Sequence, residues 1–415
     1  MIGLSAYILA DTFFISKGLG VNGLTALNLA IPIYSFIHGS GLMLGIGGAT
    51  KFSIYKGQSA ISKADGVFSN TVYLAIVLST IFVLTGILFS GKIAVLFGAD
   101  VEVYEMTELY LRIIMIFSPA FIMNNVLICF VRNDGNPRLS MLAMLIGCLS
   151  NIILDYVFIF PMNMGIFGAV LATGFAPFIG ICILSKHFIT KKNTFRFRKF
   201  KPSFSLTAHT LSLGFPSLIL EAASGIVIIA FNYIILQIEG NIGVAAYGVI
   251  ANLSLVVISI YTGISQGIQP ILSRSYGEND YDNIKKTLRY AIITIALVSL
   301  AIYSVIFLLA SPIAGIFNSE QNVLLQKIAE AGLKIYFIAI PFAGFNIVLS
   351  IYFTSIEKAI PAQIISLLRG LFLIIPMAFF MSYLAGMTGV WLSFSLTEGF
   401  VSVLGVILYI RLSHK

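Results

Sequence analysis

Residues 68–91 read FSNTVYLAIVLSTIFVLTGILFSG, a run without one charged side chain, bounded by Asp65 before it and Lys92 after it. At 1.5 Å per residue a helix of that length reaches about 36 Å, enough to cross a hydrocarbon core of about 30 Å. The run is apolar on all sides rather than along one stripe, so its surroundings must be lipid or other buried helices. A transmembrane barrel would instead need strands of about ten residues alternating with polar lumen positions.

Runs of the same kind recur along the whole chain, at 1–16, 24–50, 68–91, 107–131, 139–160, 164–187, 209–237, 244–272, 287–310, 327–353, 362–384 and 387–411, separated by Gly, Pro, Asn or charge clusters. They predict twelve membrane helices. Composition agrees, since 58% of the 415 residues are hydrophobic, 10% are charged and mean hydropathy is +0.99. A soluble enzyme, a nucleic-acid-binding domain and a disordered scaffold are thereby excluded.

In such a chain the net charge of +8 is a topology signal rather than a nucleic-acid footprint. The even-numbered connections and the C-terminus carry 19 of the 25 Lys and Arg residues, seven of them in the stretch 186–201. Both termini are therefore expected in the cytoplasm, with the protein multi-pass in the cytoplasmic membrane. The first run reaches only about 24 Å before Lys17, so the chain is expected to begin inside its first helix. Cys129, Cys148 and Cys182 lie in apolar runs without a neighbouring His or Cys at ligand spacing, and neither a disulfide framework nor a metal site is expected from them.

The chain matches itself at a shift of about 220. Leu24-Thr25-Ala26 meets Val244-Ala245-Ala246, Gly47 meets Gly267, Ser53 meets Ser273, Gly57 meets Gly277 and Phe97 meets Phe317. At a shift of 222 the pair Glu108/Arg112 falls on Glu330/Lys334 and Pro119 on Pro341, while Gly168-Ala169-Val170 answers Gly389-Val390-Trp391. Six spans per half, an even number, give both halves the same orientation. Residues 1–187 are read as an N-terminal six-helix lobe, 188–208 as a cytoplasmic, solvated linker and 209–415 as a C-terminal six-helix lobe. Parallel repeats of this kind suit alternating access around a midplane site.

Five ionisable side chains fall within the spans: Asp11, Asp155, Glu221, Arg369 and Glu398. Each costs at least about 2.5 to 3.5 kcal/mol to insert, so each is a functional candidate, and four acids against one base favour cations. Asp11, Asp155 and Thr173 lie roughly 9, 9 and 13 Å below the outer surface at helical rise, and Asn151 stands one turn before Asp155 on the same face. This all-oxygen set suits Na⁺, or a proton shared between two carboxylates. Glu221, midway along the seventh span, is either a substrate counter-charge or a structural partner. Arg369 is close enough to Pro361 to snorkel to the cytoplasmic side. Glu398 and His38 read as structural, and Gly45-Ile46-Gly47-Gly48, with no following Lys-Ser/Thr, reads as close helix packing rather than a phosphate loop. No ATP, cofactor or enzymatic machinery is expected, and an ion gradient must supply the energy.

The run Tyr7-Ile-Leu-Ala-Asp11-Thr-Phe-Phe-Ile-Ser, with Leu19-Gly20 and Leu24-Thr-Ala26, resembles the first-helix signature of the multidrug and toxic compound extrusion (MATE) family, prokaryotic type. Arg132-Asn-Asp-Gly-Asn-Pro137, Asn151-Ile-Ile-Leu-Asp155 and Gly165-Ile-Phe-Gly-Ala169-Val-Leu-Ala-Thr173 resemble it too, and the similarity runs through both lobes. The resemblance implies a V-shaped, all-α, twelve-helix fold and export of amphipathic, mostly cationic organic compounds in exchange for H⁺ or Na⁺. It implies that Asp11, Asn151, Asp155 and Thr173 are the cation-coupling site, and the metal ligands where the ion is Na⁺. It further implies that Tyr7 lines the substrate cavity and that Glu221 matches a seventh-helix acid of the NorM-like branch. That branch's additional second-lobe aspartate has no match here. The alternative within the superfamily, a flippase for lipid-linked oligosaccharide or peptidoglycan precursors, would need cavity bases for pyrophosphate, and Arg369 is the one intramembrane base on offer.

Overall fold

The structure is a computed structural model describing residues 2–198, 203–318 and 321–413, with side chains for 10–198, 203–318 and 321–412. It is helical with no strand among the described residues: α1 (Ile2–Gly57), α2 (Ile61–Leu96), α3 (Tyr104–Ile116), α4 (Ser118–Asn133), α5 (Pro137–Ile159), α6 (Gly165–Ile189), α7 (Phe204–Gly277), α8 (Tyr281–Leu308), α9 (Ala310–Phe317), α10 (Val323–Tyr336), α11 (Ile340–Ser355), α12 (Ala359–Leu367) and α13 (Ile374–Ser413). A π-turn, Leu368–Phe372, joins α12 to α13.

Three of these stretches are too long for one crossing, and each carries a single left-handed corner. The corners are Gly20 (φ 67°, ψ −156°) in α1, Gly240 (φ 61°, ψ −154°) in α7 and Gly386 (φ 56°, ψ −135°) in α13. The connections expected at these places are therefore not loops, because one glycine breaks the helix without interrupting its run. This region of backbone space is open essentially to glycine alone and costs about 1–3 kcal/mol for any residue with a Cβ. Gly240→Ala is accordingly expected to lower stability by about that amount in thermal unfolding of the purified protein; an unchanged midpoint would mean the corner is not held as described.

The span expected at 107–131 is likewise not one straight helix. α3 and α4 meet at a bend of 46°, and Pro119, which has no N–H to continue the ladder, opens α4. Its repeat partner Pro341 opens α11 after a 3₁₀ turn at Phe337–Ala339. Counting the bent pair as one, nine stretches among the described residues are long and apolar enough to cross a membrane, and the three with glycine corners each cross twice, making twelve. Large apolar side chains such as Leu88, Leu297 and Phe400 are exposed on these helices, as lipid-facing positions must be.

The repeat is written into the backbone. Left-handed residues recur as Gly20 and Gly240, Ser59 and Asn279 (both φ 58°), Gly135 and Glu357, and Gly165 and Gly386, at shifts of 220 to 222. Both expected acid–base pairs also form: Arg112 bonds Glu108, and Lys334 Nζ lies 2.7 Å from Glu330 Oε1.

Two compact units divide the chain: Met1–Ala222 with Ser273–Asn279, and Ala223–Leu272 with Asp280–Lys415. The division falls inside α7 and just after it. Its cause is packing in the first unit, where both ends of α7 lie against α1 through glycines 47, 57, 214 and 277. Part of the connection expected to be solvated is also pinned. Arg196 N–H donates to Asp65 Oδ1 (2.9 Å), Thr194 N–H donates to Asp134 Oδ2 (2.7 Å), and Phe195 is fully buried among Phe52, Phe68 and Phe130.

Candidate functional site

The site lies in the first unit, where α1, α3, α5 and α6 meet. α1 and α5 come together closely because Gly18 has no Cβ to strike the Ile159 side chain and because Phe14 packs on Tyr156 and Phe160, ring centroids 6.1 Å apart in each case. About two turns before Gly18, Asp11 lies near enough to Asp155 for its charge to bear on that carboxylate. Both are buried, at 6% and 0% exposure, and Oδ1 of each has no hydrogen-bond partner among the described residues. An acceptor left bare in an apolar interior is costly unless something positive or protonated meets it.

Asn151 and Thr173 complete the group. The Asn151 amide, turned so that its NH₂ faces the carboxylate, donates to Asp155 Oδ2 across 3.1 Å while its oxygen accepts from Thr173 N–H at 3.2 Å. In the opposite orientation its nitrogen donates to Thr173 Oγ1 at 3.4 Å, a longer bond that leaves Asp155 unserved. We adopt the first, because it satisfies both ends of the amide. Thr173 Oγ1 donates to Ala169 O at 3.2 Å.

α5 is set in place by the Arg132–Pro137 run. Asn133 Oδ1 accepts from Ser53, Gly135 turns left-handed at φ 90°, Asn136 caps the helix through Leu139 N–H, and Pro137 occupies the first turn, where no N–H is missed. Asp134 is the hub of that turn, accepting from Lys56 Nζ (2.5 Å) and paired with His187 Nε2 (2.9 Å).

The geometry thus brings together Asp11, Asn151, Asp155 and Thr173, the four residues singled out by depth. It adds Tyr110 of α3, which the sequence reading missed: the ring is buried and its hydroxyl lies close to Thr173 and within the field of both carboxylates. The available signal was a phenol within an apolar span, where its polar tip needs a partner. Tyr110→Phe is expected to keep the fold and reduce gradient-driven transport by about tenfold, the scale of one polar group lost beside buried charge; unchanged transport would show that the hydroxyl only fills space.

Glu221 stands elsewhere, on α7 against the second segment of α1, beside Gly39 and His38. His38 is held by Asn125, whose Nδ2 donates to His38 Nδ1 and to His38 O, both at 3.2 Å, and it stacks on Tyr34. Between His38 and the Asn151/Thr173 edge of the site lies a cavity of about 70 Å³, lined by Tyr34, Asn124 and Asn125 among others. The Tyr7 side chain lies outside the described residues.

Arg369 does not snorkel. It is buried and donates from Nε and Nη2 to Glu398 Oε1, at 3.1 and 2.8 Å, while Asn346 Nδ2 donates to Glu398 Oε2 at 2.7 Å. A guanidinium that finds a carboxylate at its own depth has no need of the headgroups. Glu398 and Arg369 cancel each other, so the expected excess of acid over base does not draw on this pair. The base that a pyrophosphate-binding cavity would have required is committed to this pair.

Among the described residues no three His, Cys, Asp or Glu side chains gather as a metal group, so the site rests on two carboxylates and neutral oxygens. That donor set fits a single positive charge. Twelve apolar helices in two related halves, one holding a buried pair of acids with unmet oxygens, define a secondary transporter.

Comparison with known proteins agrees. The MatE family profile matches residues 1–157 and 216–380. The multidrug export protein MepA of Staphylococcus saprophyticus subsp. saprophyticus is 26% identical over 377 residues, 90% of this chain and 82% of that protein. MepA of Staphylococcus aureus (strain NCTC 8325 / PS 47) is 25% identical over 411 residues, 99% and 90%. An outward-facing multidrug resistance MATE family transporter of the MOP superfamily superposes with a TM-score of 0.93 at 23% identity, covering 100% of this chain and 94% of that one. A MOP superfamily transporter from Pyrococcus furiosus, described as having a binding pocket of reversed polarity, gives 0.91 at 24%, covering 100% and 93%. The chain belongs to the MatE family, a family of transporters rather than enzymes, and has its fold of twelve membrane helices in two lobes.

Proposed function

We propose that this protein is an antiporter of the cytoplasmic membrane, with both termini cytoplasmic, that exports amphipathic, mostly cationic organic compounds in exchange for H⁺ or Na⁺. The reading rests on one observation: Asp11 and Asp155 are buried against each other, each with an oxygen that meets no partner among the described residues. An ion arriving there relieves both the mutual repulsion and the unmet acceptors. The substrate class is supported by relatives that are named for multidrug export.

Asn151, Thr173 and Tyr110 orient the carboxylates and supply neutral oxygens. An ion stabilises whichever arrangement of the protein presents this set to it, and it drives export only if the organic cation prefers a different arrangement, because equal affinity for both shifts nothing. The test is efflux of a fluorescent organic cation from proteoliposomes under an H⁺ or a Na⁺ gradient imposed separately. Export under one gradient names the ion; no export under either, from folded protein, would refute the reading.

A further inference from the structure

Where charge is concerned, the second half is not a copy of the first. Gly135 and Glu357 set a shift of 222 through the fourth and fifth crossings of each half, and Gly165 and Gly386 set 221 for the sixth. On these shifts Asn124 corresponds to Asn346, Gly147 to Arg369 and Pro177 to Glu398.

In the first half those three residues line the cavity of about 70 Å³, and Asn124 Oδ1 is buried without a partner among the described residues. In the second half the same three positions hold the Arg369–Glu398–Asn346 network. There the arrangement is complete. Both carboxylate oxygens of Glu398 are used, Asn346 Nδ2 also reaches Glu398 O (2.9 Å), and Ser402 Oγ donates to Asn346 Oδ1 (3.1 Å) and Glu398 O (2.8 Å). Arg369 sits on the π-turn, closed by Leu373 N–H to Leu368 O at 3.0 Å, and such turns are frequent at functional positions. Conversely, at the repeat positions of Asp11 and Thr173 the second half has Phe231 and Phe394. Opposite Tyr110 it has Gly332, whose missing Cβ makes room for Trp391.

We propose that Glu398, Asn346 and Ser402 form a cation site whose ligand is the protein's own Arg369: a tethered guanidinium occupying, in the second half, the position that the first half leaves as an open cavity. The ligand class is a planar monovalent guanidinium, matched by two donors on one carboxylate oxygen with the other oxygen held by an amide. With its cation built in, the second half takes no ion from solution, and ion coupling is confined to Asp11 and Asp155. That consequence rests on the antiporter reading, whereas the guanidinium site itself does not.

The test is chemical rescue. Purified Arg369→Ala, extracted from the membrane with guanidinium chloride present at up to about 20 mM, far below denaturing levels, is compared with the same protein in choline chloride. Guanidinium is expected to recover at least half of the lost thermal midpoint, saturably, and to do nothing for Arg369→Ala/Glu398→Gln. No recovery in the single variant, or equal recovery in both, overturns the site. The neutral pair Arg369→Met/Glu398→Gln, close in volume and able to fold without an ion pair, reads the consequence. Its gradient-driven export stays within about threefold of wild type; a loss of tenfold or more places the second half in the coupling and overturns that part. Wild type without export in the same assay would count against the antiporter reading and leave the rescue result standing.

Discussion

Proteoliposomes carrying Asp155→Asn are expected to export an organic cation at about one-hundredth of the wild-type rate under the gradient that drives the wild type, with the protein inserted and folded. The magnitude follows from coupling: when an ion at one place biases the affinity for a substrate at another, the effect is typically 5- to 150-fold, and removing the ion's anchor removes all of it. Asn keeps the shape of Asp and can still face the Asn151 amide, so the packing of α1 on α5 stays. What disappears is the charge that meets Asp11 and the oxygen left without a partner. Asp11→Asn is expected to do the same from the other side. Because each substitution removes a buried charge, thermal stability should hold or rise while transport falls, the opposite of damage to the fold. Unimpaired gradient-driven export by both variants would remove these acids from the coupling site.

The second large effect is structural. A Cβ on Gly214 would collide with Met43 O and one on Gly47 with Thr210 O; likewise one on Gly57 with Arg274 O and one on Gly277 with Ile54 O. The last two contacts are reciprocal under the repeat, since Gly57 and Gly277, and Ile54 and Arg274, are each related by 220. Two helices crossing on their glycines press backbone to backbone, and backbone has no other rotamer to adopt. Gly214→Val is therefore expected to cost about 3 kcal/mol or more, the upper end for overpacking, and to lower the thermal midpoint by about 5 °C or more. Gly225→Val, a glycine of the same helix with nothing near its missing Cβ, should stay within about 1 kcal/mol of wild type. Equal loss in the two variants would trace the effect to glycine's backbone freedom and not to the crossing.

Transmembrane character, the number of crossings and the repeat were legible in the sequence, because each rests on a property local to its own residues. Lipid leaves a helix little choice but to be long and apolar, and a duplicated half keeps its glycine and proline punctuation. The depth of Asp11, Asn151, Asp155 and Thr173 was legible for the same reason: rise per residue converts position in a span into height. Rotation about the helix axis and the distance between helices are not local. They depend on which side chains interlock, as Gly18 does against Ile159 and Gly214 against Met43.

Tyr110 and the pairing of Arg369 with Glu398 accordingly emerged only in three dimensions. Arg369 shows the reason most directly. Its depth fitted a side chain reaching for the cytoplasmic surface, but a carboxylate 29 residues further along the chain lies within 2.8 Å. A charge in a low-dielectric interior takes the nearest opposite charge available. The sequence by itself determined a two-lobed membrane protein with acids placed at one level; only the tertiary structure decided which acids keep an oxygen without a partner among the described residues and which one is paired with an arginine, because pairing depends on how helices turn toward one another.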